Sequence, residues 1–169
     1  MTQTIEISTH LPAAPDLIWK QVCTSRLLTY VTHPLIEFRP IEPRSFPAEW
    51  AEGDYQTEMR LFGIFPIGRQ TIGIRYPEEL SSKRLILRDD GHGASAKVWD
   101  HYIFVESDGN QGTKYTDRVT IDAGRRTPFV TAFAWIFYSH RQRRWRRLVQ
   151  SKFADLTDAA SDRNVGNPT

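Results

Sequence analysis

The sequence predicts an α+β protein, with one curved antiparallel sheet of about six or seven strands wrapped around a long C-terminal helix. Two short helices follow the first strand. Three observations carry this expectation. The last long segment, Thr127 to about Leu156, places Pro128 near its start, has no glycine or proline after it, and turns basic in its later turns. Those are the marks of one continuous helix. The chain before it breaks into stretches that alternate apolar and polar residues, separated by turn formers. The order of strands first and long helix last lacks the alternation of a parallel α/β protein. The first half of the helix, Phe129 to Phe137, is apolar nearly all round, so something must cover it.

The totals bound the answer without identifying it. A chain of 169 residues is most simply one domain, large enough to bury a core unaided. Net charge is only +2, but it is unevenly placed. From Pro128 to Leu156 there are six Lys or Arg against one acid, Asp155, which makes that segment +5 and the rest −3. A basic end permits an anionic partner without demanding one. The single Cys23 excludes an intrachain disulfide and a multi-cysteine zinc site. Met1 to Glu6 lacks the basic start and apolar run of an export signal, and Phe129–Tyr138 is too short to span a bilayer. The expected location is cytoplasmic, with no stable membrane insertion.

In chain order, residues 3–9 alternate with Ile5 and Ile7 on one face, giving a first strand. Leu11–Asp16 is a turn, and Asp16–Val22 fits a short helix with Leu17, Ile18 and Val22 inward. A second helix covers Ser25–Val31 and ends at His33-Pro34. Pro34, Pro40, Pro43 and Pro47 leave at most an edge strand and an irregular connection. Gly53–Phe62 alternates again. Gly63–Gly68 reads as a loop rich in apolar bulk: a mobile gate, a buried loop or a homodimer contact. Gln70–Tyr76 and Lys83–Arg88 are further strands, and Asp89–Gly93 reads as a turn. The clearest signal is a hairpin, Lys97–Glu106 and Thr113–Asp122, around Ser107–Gly112. Trp99, His101, Ile103 and Val105 share one face of its first strand. Thr113, Tyr115, Asp117, Val119 and Ile121 share one face of the second, with solvent expected on the other. Residues 1–158 are expected to form the domain and 159–169 a frayed tail.

Three stretches together resemble the START/Bet v 1-like (SRPBCC) superfamily, in particular its polyketide cyclase/dehydrase-like members. Leu11–Trp19 is similar to the passage from first strand into first helix. Trp99–Phe104 followed by Gly112–Val119 resembles the penultimate hairpin. Phe137-Tyr138-Ser139-His140-Arg141 resembles an aromatic pair and arginine in the last helix. The resemblance covers residues 3 to about 156. It implies the helix-grip fold and a cavity between sheet and helix for a hydrophobic small molecule, lipid or polyketide-like. Because such a fold hosts binding, transfer and cyclase functions alike, it leaves function open.

His101 and Asp117 are the first residues to examine for chemistry. A register that pairs Val105 with Thr113 sets His101 opposite Asp117, both on the apolar side. A carboxylate beside an imidazole orients it for acid–base work, as an aromatic polyketide cyclase or dehydratase requires. The same pair also serves as a satisfied buried contact or a ligand anchor. Candidates for lining the cavity are Met59, Leu61, Ile72, Ile74, Leu85, Trp99, Ile103, Tyr115, Val119, Phe133, Ile136 and Phe137, with Trp135 beside them; the alternative is that they fill a solid core. Arg141, Arg143, Arg144, Arg146 and Arg147 form a basic cluster. Helical spacing puts Arg141 on the side of Trp145, Leu148 and Val149, while Arg143, Arg146 and Arg147 meet water. That favours a solvated face over a membrane, acidic-partner or nucleic-acid surface, and no nucleic-acid partner is expected. The five histidines show no ligand spacing, so no metal is expected, and no cofactor motif is present.

Overall fold

β7 (Thr113–Asp122) shows how the alternation becomes a sheet. Thr113, Tyr115, Asp117, Val119 and Ile121 are all buried, whereas Lys114 and Arg118 are exposed. The computed structural model describes residues 1–77, 84–93 and 96–156. Seven antiparallel strands form one sheet in the order β1-β7-β6-β5-β4-β3-β2. They are β1 (Gln3–Leu11), β2 (Ile36–Glu42), β3 (Gly53–Leu61), β4 (Phe65–Arg75), β5 (Arg84–Gly93), β6 (Val98–Ser107) and β7. Two short helices, α1 (Pro15–Val22) and α2 (Ser25–Thr32), follow β1, and α3 (Thr127–Gln150) closes the order. This is the helix-grip arrangement expected from the sequence.

Local chemistry sets the boundaries. Pro15 takes the first turn of α1, where its missing N–H costs nothing. Thr24 caps α2 by accepting from the Leu27 amide. The proline-rich stretch supplies β2, an edge strand that holds Pro40 where its register shifts. Between β7 and α3, buried Thr127 Oγ1 accepts from the Ala123 amide and donates to the Gly124 carbonyl. Gly124 has a φ of 62°, which a glycine adopts without strain.

α3 is gripped mainly by its second half. Trp145 and Leu148 are fully enclosed, and the Trp145 ring lies 5.5 Å from that of Tyr115 on β7. Each large side chain buried this way contributes about 1.5–3 kcal/mol. The helix ends sooner than its uninterrupted sequence suggests. Lys152 and Phe153 take positive φ values, and the Phe153 amide bonds back to the Leu148 carbonyl, turning the chain before buried Leu156.

Five expectations need correction. Asp89–Gly93 is not a turn but the second half of β5: a Cβ on Gly91 would lie 2.6 Å from the Thr71 carbonyl oxygen, so its glycine permits close strand approach. The apolar loop shrinks to Phe62–Ile64, because Phe65–Gly68 already belongs to β4, with a bulge opposite Met59 and Arg60. Leu17 is exposed rather than inward. The outer face of β7 is not wholly solvated, since Thr116 is buried and bonded to Ser8 of β1. Finally, Val105 pairs with Tyr115 instead of Thr113, and His101 faces Val119. That slip is two residues, so every side chain keeps its face. Lys83 and the expected tail 159–169 lie outside the described residues.

Candidate functional site

Between the concave sheet face and the first half of α3 lies a cavity of about 620 Å³, a size that suits a small organic ligand. Its walls are mostly aliphatic and aromatic. Of the residues expected to line it, Met59, Leu61, Ile72, Ile74, Trp99, Ile103, Phe133 and Phe137 do so. Leu85, Tyr115, Val119 and Ile136 do not. Tyr115 packs in the core against Trp145, and Leu85 is half-buried against the same core cluster. Val119 is buried in the cluster that holds Tyr138, and Ile136 points to solvent, as does Trp135. Exposed Phe129 and Arg126 also line the cavity, so it opens where α3 begins.

The helix grips unevenly for a reason visible along its length. Phe129–Phe137 is apolar nearly all round, and the sheet covers one side of it. Val130, Phe133, Ala134 and Phe137 turn toward the sheet and Phe129 sits at the cavity mouth, leaving Trp135 and Ile136 exposed on the other side.

Polar groups gather in the cavity wall and immediately behind it. His101 Nε2 lies 2.8 Å from Asp117 Oδ1, and both are buried. His101 belongs to the wall; Asp117 does not and stands behind it. Asp117 also accepts from the Tyr115 hydroxyl at 3.1 Å and from Gln142 Nε2 of α3 at 3.2 Å. Burial alone would raise the Asp117 carboxyl, but the Arg141 charge and the bonds from His101 and Gln142 outweigh it and hold it below its ordinary value. Burial pulls the His101 imidazole below its ordinary value, against the raising effect of Asp117. A neutral ring beside an ionised carboxylate donates from Nε2, which leaves Nδ1 as a bare acceptor. The Tyr138 ring packs 4.8 Å from the imidazole, and its hydroxyl accepts from Trp99 Nε1.

Two polar members of the wall were not singled out from sequence. Asp89 was hidden inside an apparent turn. On β5 it faces the cavity, accepts from the Gly73 amide at 2.8 Å, and is only half-buried because the cavity exposes it. Its burial pushes the carboxyl up to about 7, against the bond from Gly73 and the Arg141 charge. Arg141 belongs to the basic cluster of the sequence, where its spacing with Trp145 and Leu148 sets it on the inward side without assigning it to a cavity. It is buried and lines the cavity, and the charges of Asp117 and Asp89 help to offset the burial that works against its own. Arg143, Arg146 and Arg147 are exposed. Among the described residues no group of three or more His, Cys, Asp or Glu could hold a metal ion, and no helix is long and apolar enough to cross a membrane.

Solved structures share this fold at low sequence identity. A START superfamily protein from Mycobacterium smegmatis superposes with a TM-score of 0.61 and 13% identity, covering 88% of this chain and 97% of that one. A norcoclaurine synthase point mutant from Thalictrum flavum, in complex with a transition state analogue, gives 0.62 and 9%, covering 90% and 96%. The Zhui aromatase/cyclase from Streptomyces sp. R1128 gives 0.53 and 10%, covering 90% and 94%. No curated protein sequence matches the chain. The profile of a family described as Domain of unknown function (DUF8410) matches residues 9–149, which span β7, both short helices and nearly all of α3. The chain therefore belongs to that family, whose matched region here is built on the START/Bet v 1-like helix-grip fold.

Proposed function

We propose that the protein binds or transfers a hydrophobic small molecule, lipid or polyketide-like, held between the sheet and α3. The supporting observation is the 620 Å³ cavity, walled by apolar side chains from five strands and three helices and open beside Phe129. A void of that size lined by Ile, Met, Phe and Trp favours an apolar guest, which replaces contacts that the wall otherwise lacks. The test is fluorescence of the neutral dye Nile red, with native mass spectrometry of freshly purified protein. Wild type should brighten the dye and carry an adduct. Ile103→Trp, which adds bulk to the cavity wall, should lose both while keeping its circular dichroism spectrum. Equal dye binding by the filled variant would rule the cavity out as the binding site.

A second reading is favoured by one contact, the 2.8 Å bond from His101 on the cavity wall to Asp117 behind it. In a polyketide cyclase or dehydratase, His101 Nδ1 would take a proton from a methylene flanked by two carbonyls. The carbanion would attack a ketone further along the substrate chain to close the ring, and the imidazolium, steadied by Asp117, would return its proton to the new alkoxide. A second proton taken from the same carbon would then leave with that hydroxyl as water. Here His101 acts as the acid–base and Asp117 as its positioning residue. Incubation with a linear poly-β-ketone thioester should give a cyclised, dehydrated product with wild type and none with His101→Gln. Absence of turnover in wild type would leave binding alone.

A further inference from the structure

The wall of the cavity carries a charge that no hydrogen bond among the described residues completes. Arg141 is 5% exposed and lines the cavity, yet among the described residues its guanidinium makes no hydrogen bond or ion pair, and its Nε is enclosed without a partner. Aromatic rings hold it in place, with Cζ 5.0 Å from the Tyr138 ring centre and 5.9 Å from that of Phe137. Its Nε–H is unmet in a place where unmet donors are destabilising, and the other four donors of the rigid fork make no hydrogen bond to the described residues. The charged and titratable groups that face it are Asp117 and Tyr115 of β7, Asp89 of β5, His101 of β6 and Tyr138 of α3. Asp117 is already engaged by His101, Tyr115 and Gln142.

We propose that the ligand is an amphipathic monocarboxylic acid whose carboxylate docks on Arg141, with Asp89 and Gln70 completing the polar end of the cavity. This rests on the binding reading above and names its substrate class. Gln70 and Asp89 stand together: a Cβ on Gly91 would lie 2.9 Å from Asp89 Oδ1 and 3.3 Å from Gln70 Nε2, so the glycine lets both side chains approach the same point. The guanidinium fork matches a planar carboxylate through two parallel bonds. One deep cation, with ionised Asp117 close behind it, suits a single negative charge better than a phosphate dianion. Exposed Arg126 at the mouth adds a second positive group along the way in. Asp89, its carboxyl pushed up to about 7, offers a proton to the incoming carboxylate at lower pH; once ionised it repels that carboxylate and competes for Arg141.

The test displaces Nile red from the full chain with laurate, dodecanol or dodecyl phosphate, each below its micelle concentration. Ratios are compared within each protein, so a general change in dye affinity cancels. At pH 6 wild type should prefer laurate over dodecanol by on the order of tenfold, the scale of one charge-assisted pair. The preference should shrink by pH 8, persist at pH 8 in Asp89→Asn, and vanish in Arg141→Gln. If Arg141→Gln fails to fold, the wild-type ratio and the Asp89→Asn pH series still decide. Equal competition by laurate and dodecanol in wild type overturns the proposal, as does a preference retained in Arg141→Gln or dodecyl phosphate outcompeting laurate. Failure of wild type to bind Nile red at all instead overturns the apolar-cavity reading beneath it.

Discussion

His101 Nε2 and Asp117 Oδ1 are 2.8 Å apart although the residues are not cross-strand partners; His101 faces Val119 and Asp117 faces Ile103. They meet on the diagonal, which two reaching side chains can span on one sheet face. Asp117 ties more than one neighbour. Gln142 of α3 donates to it and also to the Ile7 carbonyl of β1, so β1, β6, β7 and α3 converge on one carboxylate.

Asp117→Asn should therefore destabilise the fold strongly. It keeps the shape but removes the charge that offsets buried Arg141. Breaking such a buried arrangement costs about 3–5 kcal/mol. The exposed pair Arg118–Glu6, at 2.7 Å, is the comparison, and Glu6→Gln should cost about 1 kcal/mol or less. Urea denaturation of both variants measures the contrast, and similar midpoints would show that Asp117 carries no special role.

His101 should remain neutral, with its proton on Nε2, at a pH where an ordinary histidine is largely protonated. Nitrogen-15 NMR of the imidazole reads both properties. The sign for stability follows from the lowered value in the fold. Stability from neutral His101 is fully present above the unfolded value of about 6.5 and is lost as pH falls through the lower folded value. His101→Gln should flatten that acid limb of a stability–pH curve.

Asp89 works in the opposite direction. Its folded value is about 7, against an ordinary 3.8. Its contribution is fully present below about pH 4 and is lost as pH rises toward 7, where the fold must accept a buried charge. Asn can still accept from the Gly73 amide without that charge. Asp89→Asn should therefore raise the melting temperature at pH 8 by a few degrees and leave it nearly unchanged at pH 4. Scanning calorimetry at both values decides it, with an equal shift at each pH as the contrary result.

The fold and part of the apolar wall were legible because strand alternation and an uninterrupted helix are local signals. Trp99, His101 and Ile103 follow from period two on β6 alone. The polar end was harder to read. Asp89-Asp90-Gly91-His92-Gly93 has turn composition, and only the approach of β4 shows that the glycines serve a strand. Arg141 lay among four other arginines, so composition pointed outward while helical spacing pointed inward. The His101–Asp117 bond was expected from a register two residues away from the real one. It forms because that slip preserves the face and leaves the two residues diagonal neighbours.

Two tryptophans of α3 allow the same conflict between composition and spacing to be measured. Trp135 lies in the more apolar half of the helix yet is 57% exposed, while Trp145 stands among arginines and is fully buried. Trp145 packs against Tyr115 and anchors the helix to β7. Trp145→Ala should cost about 3–5 kcal/mol by opening a core cavity. Trp135→Ala should stay within about 0.5 kcal/mol, because a surface position loses little packing. Urea midpoints of the two variants report which half of α3 the sheet holds. A larger loss for Trp135 would mean that its exposed face is covered in solution, by another copy of the chain or by a partner, and dilution-dependent stability would identify the former.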